Sequence, residues 1–302
     1  MNGTDPDAVG IIGGTGFYDF VEADPAAHPV EIDTPFGAPS APPVVGTLDG
    51  RRVVFLPRHG AHHEYLPHQV PYRANLWALR ALGVRAVIAA AAVGSLDPAV
   101  GPGALVVPDQ LIDRTQGRAT TFFDRTSTSV REHDPVHIGF ADPYCPRLRA
   151  TLCDPRPQVG DSGPQVVDGA TMMVIDGPRF STRAESRMYA AWGASLINMT
   201  GQPEASLCRE LGICYATLCL VTDLDAGVAP GDGVAAADVF AEFARNLPRL
   251  KERVAMAVAG LSSPAGCDCA RVNHDVDAML STVSGTSTAS ATPTPVATAG
   301  SR

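Results

Sequence analysis

The chain has 302 residues, 45% of them hydrophobic, and a formal net charge of −9, so it has material for a core but not the basic surface that nucleic acid or an anionic membrane would attract. Its apolar runs fall short of the roughly 20 residues that cross a bilayer, and its first residues lack the charged and apolar regions of a signal peptide. Seven scattered cysteines, an odd count in a long chain, do not fit a secreted disulfide scaffold, and the expected compartment is the cytoplasm.

From the N-terminus, apolar β-branched runs bounded by Gly, Pro or Asp predict strands at residues 9–12, 44–48 and 52–56. Residues 71–82 predict a helix, with Tyr72, Leu76, Leu79 and Leu82 on one stripe and Pro71 in the first turn. Strands follow at 85–93 and 104–107. Residues 109–141 form a polar stretch longer than a connection needs, which points to a functional role or a subunit contact. A strand at 171–175 precedes Thr182 and Glu185, a T-x-x-E capping box that opens a helix. Next come a strand at 195–199, a helix at 203–211 opening on Pro203, and a strand at 214–222. Residues 234–261 predict a long helical region, bent or broken at Pro248. Strands alternating with helices give an α/β fold: a single domain over 9–262, with a mixed β-sheet flanked by helices. Residues 263–280 read as a variable extension. From residue 281 onward Ser, Thr, Ala, Pro and Gly dominate, and that tail is expected to be disordered.

Several segments at the carboxyl ends of these strands hold residue types suited to chemistry. Gly13-Gly14-Thr15-Gly16 offers backbone N–H groups and a hydroxyl to an anion, or simply a tight turn; its spacing fits neither a dinucleotide fingerprint nor a P-loop. In Pro57-Arg58-His59-Gly60, Arg58 can hold an anion bidentately and His59 can add a hydrogen bond; an exposed loop with ordinary charges is the other reading. His62, His63 and His68 lie nearby, without the ligand spacing of a zinc site. Val93-Gly94-Ser95-Leu96 ends a buried strand, where open α/β sheets bind ligands or where a helix packs closely. Asn198-Met199-Thr200-Gly201-Gln202-Pro203-Glu204 leads from a strand to a helix N-terminus, an anion edge unless Thr200 or Gln202 only caps the helix. Asp223 and Asp225 lie two apart, so an extended chain points both the same way, to bind a base and deliver a proton or to sit in solvent. Cys267-x-Cys269 with His274 is a poor redox or metal cluster with too few ligands, and no metal site is expected.

Together the blocks GIIGGTGFYDF, DTPFGAPS, PRHGAHH, PYRANLWALRALG, AVGSLDP, GALVVPDQLIDRT, HIGFADPYCP, IDGPRFSTRAES, INMTGQPEA and CYATLCLVTDLDAG resemble the methylthioadenosine phosphorylases of the trimeric purine-nucleoside phosphorylase superfamily. The resemblance implies the nucleoside phosphorylase fold and a homotrimer. It implies Thr15, Arg58, His59 and Thr200 as phosphate ligands, and a phosphate-contacting segment at Ala91 and Ala92. Many relatives have threonine where Ala91 stands, so only backbone donors remain there. Phe180 and Met199 would flank purine and ribose, and Asp223 and Asp225 would recognise the base and carry catalysis. Ser181 and Ala236 fall at positions linked with substrate preference, and His137 would reach a neighbouring subunit's 5′-pocket. The implied reaction is phosphorolysis of S-methyl-5′-thioadenosine to adenine and S-methyl-5-thio-ribose 1-phosphate. Inorganic phosphate is the co-substrate and no metal or organic cofactor takes part. The alternative on the same scaffold is a phosphorylase of methylthioinosine, inosine or guanosine.

Overall fold

The two longest strands among the described residues lie side by side in the middle of a mixed sheet. A computed structural model describes residues 8–14, 16–17, 24–124, 136–154, 166–228, 233–262, 267–271, 276 and 280. Thr15, His274 and the tail from residue 281 lie outside these, as do the expectations attached to them.

In chain order the strands are β1 (Val9–Gly13), β2 (His28–Pro29), β3 (Val44–Leu48), β4 (Arg51–Pro57), β5 (Ala86–Ser95), β6 (Leu105–Val107), β7 (Gln110–Asp113), β8 (Val167–Asp168), β9 (Thr171–Val174), β10 (Leu196–Asn198) and β11 (Cys214–Leu224). The helices are α1 (Tyr72–Ala81), α2 (Pro146–Cys153), α3 (Arg183–Ala191), α4 (Gly201–Glu210) and α5 (Ala236–Gly260). β11 runs parallel along all of β5, from Cys214 beside Ala86 to Leu224 beside Ser95. A strand has two edges, so β1 and β10 share the other: β1 takes its start in parallel, β10 its end in antiparallel. From β1 the sheet extends through β4, β3 and β2, and from β10 through β9 and β7.

Alternation along the central strands explains why they read as continuously apolar. Val87, Ala89, Ala91 and Val93 of β5 enter one core cluster, and Ala86, Ile88 and Ala90 the other. Both faces are therefore buried, as expected of parallel strands with helices on each side. α1 and α4 cover the first face with Leu76, Leu79 and Leu207. α2 and α5 cover the second with Leu148, Leu152, Leu250, Val254 and Val258.

The capping box is present: Thr182 accepts from the Glu185 amide, and the Glu185 carboxylate accepts from the Thr182 amide. Of the bend or break expected at Pro248, the break is absent. α5 is helical from Ala236 to Gly260 with Pro248 inside it. Proline removes one donor, to the carbonyl four residues back, and both Ala244 and Pro248 are exposed, so water can serve that carbonyl. β7, a strand the sequence does not announce, lies within the long polar stretch and pairs with β9. No helix among the described residues is long and apolar enough to cross a membrane.

Candidate active site

Because β1, β4, β5 and β11 are parallel, their carboxyl ends meet on one edge of the sheet. Gly13 lies opposite Pro57, and the Arg58 amide donates to the Gly13 carbonyl at 2.9 Å, which joins the glycine turn to the Arg58-His59 segment. Gly16 has φ +98°, a conformation that disfavours side chains, and a Cβ at Gly14 would meet nothing within 4 Å. Open space thus lies beside Gly14 alone, since a Cβ at Gly13 would meet Phe17 at 2.9 Å and one at Gly16 would meet Leu247 at 2.5 Å.

Arg58 is buried and already engaged. Its Nε and Nη2 donate to Glu204 at 2.5 and 3.1 Å, and its Nη1 donates to the Ala90 carbonyl at 3.0 Å. Burial opposes the charge, but Glu204 holds the guanidinium protonated. The tyrosine hydroxyl of Tyr215 donates to the same carboxylate at 2.9 Å. The fork that the sequence suggests for an anion therefore clasps Glu204 instead, and only the remaining N–H groups of Arg58 can serve a ligand. His59 stacks on His63, and its Nδ1 lies 2.8 Å from the Tyr65 carbonyl. A carbonyl only accepts, so Nδ1 carries the proton and a neutral His59 presents Nε2 as an acceptor. Burial first, then the Arg58 charge, lowers its pKa to about 4.

At the carboxyl end of β5, four residues beyond Ala90, Gly94 lies beside two carboxylates. A Cβ there would come within 3.0 Å of Asp223 Oδ1 and 3.4 Å of Asp225 Cβ. The register of β11 against β5 shifts between Val221 and Asp223, which brings Asp223 opposite Gly94. Asp225 is buried, accepts from the Ser186 hydroxyl at 2.6 Å and has its amide bound to the Ser95 carbonyl. Asp223 accepts from the Thr222 hydroxyl at 2.8 Å. Burial raises its pKa to about 6, with Asp225 adding to the rise and Thr222 opposing it. Burial also raises Asp225, against the hydroxyls of Ser186 and Ser181.

The helix N-terminus between these ends is organised by Asn198 rather than by Thr200 or Gln202. Asn198 Oδ1 accepts from the amides of Thr200 and Gly201 at 2.8 and 2.6 Å, and Nδ2 donates to the Ala92 carbonyl of β5. Thr200 is buried and makes no side-chain cap. Arg118, from the long polar stretch, donates to the carbonyls of Met199 and Gln202 at 2.9 and 2.7 Å and to Asp176 at 3.0 Å. Ser181 and Ala91 are buried, Phe180 and Met199 half-buried, and Ala92 exposed. Ala236, the first residue of α5, and His137 are both exposed, and no described contact ties either to the two aspartates. Sequence reasoning missed Glu204, Asn198, Arg118 and Ser186 as individual residues. Each acts on a partner far away in the chain, and of the four only Arg118 stood outside the quoted blocks.

The family model of the phosphorylase superfamily matches residues 8–262. The chain is 57% identical over 259 residues to the S-methyl-5′-thioadenosine phosphorylase of Mycobacterium tuberculosis, covering 86% of this chain and 91% of that one. It is 48% identical to the purine nucleoside phosphorylase of Streptomyces coelicolor, covering 86% and 91% respectively. A solved methylthioadenosine phosphorylase from Schistosoma mansoni in complex with adenine superposes with a TM-score of 0.77 at 33% identity, over 92% of this chain and 97% of that one. In sequence and in fold alike, this chain belongs to the S-methyl-5′-thioadenosine phosphorylase family of the phosphorylase superfamily.

Proposed function

We propose that this enzyme, a pentosyltransferase by family, cleaves S-methyl-5′-thioadenosine with inorganic phosphate, giving adenine and S-methyl-5-thio-ribose 1-phosphate. The observation that carries the reading is the layout of β5. Ala90 faces Arg58 and Gly94 faces Asp223, four positions or about 13 Å apart along an extended strand. That span suits phosphate at one end and a purine at the other, with the sugar between.

Phosphate would take the free N–H groups of Arg58, the Thr200 hydroxyl, Thr15, backbone donors at Ala91 and Ala92, and Nε2 of His59 as acceptor of its own O–H. Held below C1′, it stabilises positive charge that develops on the sugar as the glycosidic bond breaks. The leaving purine gathers negative charge and needs a proton at N7. Asp223, with a pKa near 6, is protonated often enough near neutral pH to give it, while Asp225 holds the base. Phe180 and Met199 would flank purine and ribose, and Ser181 and Ala236 would tune preference. Neither metal nor organic cofactor takes part in these steps. The Streptomyces coelicolor relative, a purine nucleoside phosphorylase by name, favours a second reading, a purine nucleoside other than methylthioadenosine in the same site.

The active unit is proposed to be a homotrimer, with His137 entering a neighbour's 5′-pocket, and the compartment the cytoplasm. An open cavity of about 420 Å³ borders the His137 segment, with apolar Phe123, Val136, Ile138 and Phe140 on its lining beside polar Asp113, Gln202 and Glu210, a mixed surface that another subunit would meet. Sedimentation of active protein at the mass of three chains is expected, and an active monomer contradicts the assembly.

The direct test measures free base from methylthioadenosine and methylthioinosine, with and without phosphate. Cleavage is expected to require phosphate and to favour the 6-amino substrate. Arg58→Lys keeps a charge for Glu204 but loses the planar fork, so it should raise the phosphate KM at least tenfold and the nucleoside KM far less. Equal cleavage without phosphate would make the enzyme a hydrolase.

A further inference from the structure

Four cysteines far from this site converge behind the sheet. Cys145 immediately precedes α2, Cys214 opens β11, and Cys267 and Cys269 flank and enter the short 3₁₀ turn Asp268–Ala270. Their Sγ atoms all lie within 4.8 Å of one another, and Cys145 and Cys267 are 3.6 Å apart. Cys145, Cys214 and Cys269 are buried, and Cys267 is half-buried. From the sequence, Cys267-x-Cys269 lacked partners; the fold supplies two more sulfurs from segments about fifty and more than a hundred residues away.

We propose that Cys145, Cys214, Cys267 and Cys269 form a tetrahedral thiolate site for one divalent zinc ion, which fastens the segment after α5 to the core. Four thiolates about 2.3 Å from zinc stand roughly 3.8 Å from one another, a spacing this cluster reaches with small side-chain shifts. Two disulfides would instead draw the sulfurs together in pairs, to about 2.05 Å, and would leave the mutual closeness of all four without purpose. The surroundings suit a thiolate centre. The Cys145 amide is held by the Tyr215 carbonyl at 2.8 Å and the Cys214 amide by the Arg85 carbonyl at 2.9 Å, so both ligands sit on fixed backbone. Arg147 Nη2 lies 3.6 Å from the Cys214 sulfur, and its Nη1 donates to the Ser262 carbonyl, a cation beside the negative cluster that also reaches the end of α5. Binding exchanges protons only: zinc and four thiols give a tetrathiolate dianion and four protons, with no oxidant. The C-x-C spacing is shorter than in common zinc motifs, but both of its cysteines already lie inside the cluster.

The test uses the full-length protein, expressed in zinc-supplemented medium and purified with a phosphine reductant and no chelator. Elemental analysis should find about one zinc per chain, and a Cys267→Ser/Cys269→Ser variant should fall to background. Cys208→Ser, outside the cluster, should keep its metal. Cobalt exchanged into the site should give the intense visible absorption of tetrahedral cobalt thiolate. A strong chelator should lower the Tm while turnover of methylthioadenosine at low temperature persists. Reduced protein that binds neither zinc nor cobalt overturns the proposal. So does peptide mapping of protein alkylated without reductant that finds these four cysteines oxidised in pairs.

Discussion

Asp223 carries the pH signature of the site. Its pKa of about 6 stands above the ordinary 3.8, so the folded state binds a proton more tightly than the unfolded chain does. That contribution to stability is fully present below about pH 3.8 and is lost as pH rises through about 6. Asp223→Asn removes the titration, so the variant should gain stability relative to the parent above pH 6, seen as a smaller fall in Tm between pH 4 and 8. With saturating phosphate, kcat/KM of the parent should decline above about pH 6, and the variant's profile should be flatter. His59, held near 4, stays neutral across this range and adds no limb of its own. The same exchange tests base reading. An ionised carboxylate opposes O6 of an oxo base with a second acceptor, a mismatch costing on the order of 1–3 kcal/mol. Asp223→Asn should shift the ratio of kcat/KM values roughly tenfold or more towards methylthioinosine, and an unchanged ratio would move the selection to Asp225 or Ser181.

At the scale of elements, legibility follows locality. The buried strands and the Thr182–Glu185 box announce themselves because their signals lie within a few neighbouring residues. β7 and β8 do not, since short edge strands acquire their character from the partners they pair with. Pro248 stands inside α5 without breaking it, because the carbonyl it leaves without a donor lies on an exposed turn that water can reach. The Arg58–Glu204 clasp spans 146 residues and leaves no local trace. Glu204 reads as an ordinary acidic residue in the first turn of a helix, although it fixes the orientation of Arg58. Asn198 is the element-scale counterpart. It caps α4 and, through Ala92, ties β10 to β5. Asn198→Ala should cost about 1 kcal/mol for the cap alone. It should also release the Thr200 amide, so thermal unfolding and the phosphate KM should both worsen; a change in Tm with an unaltered KM would separate the cap from the site.

For the whole molecule, the central pair β5 and β11 would set the distance between phosphate and base in the proposed reaction, and helices cover both of its faces. A chain of net charge −9 that, on the proposed function, attracts a divalent anion faces an electrostatic problem. The buried clasp bears on how that problem is solved, because the positive charge of Arg58 is already cancelled by Glu204 where the two touch. With His59 neutral, the proposed capture of phosphate would rest on directed N–H and O–H dipoles at short range rather than on an attractive field reaching into solvent. Dipoles in contact with a ligand are scarcely screened, whereas long-range attraction fades beyond a Debye length of about 8 Å at physiological salt. The phosphate KM should therefore change by less than about twofold when an inert salt is raised from about 0.01 to 0.15 M. Because the net field is negative, the small change expected is a fall rather than a rise, the opposite of what a cationic phosphate funnel would give.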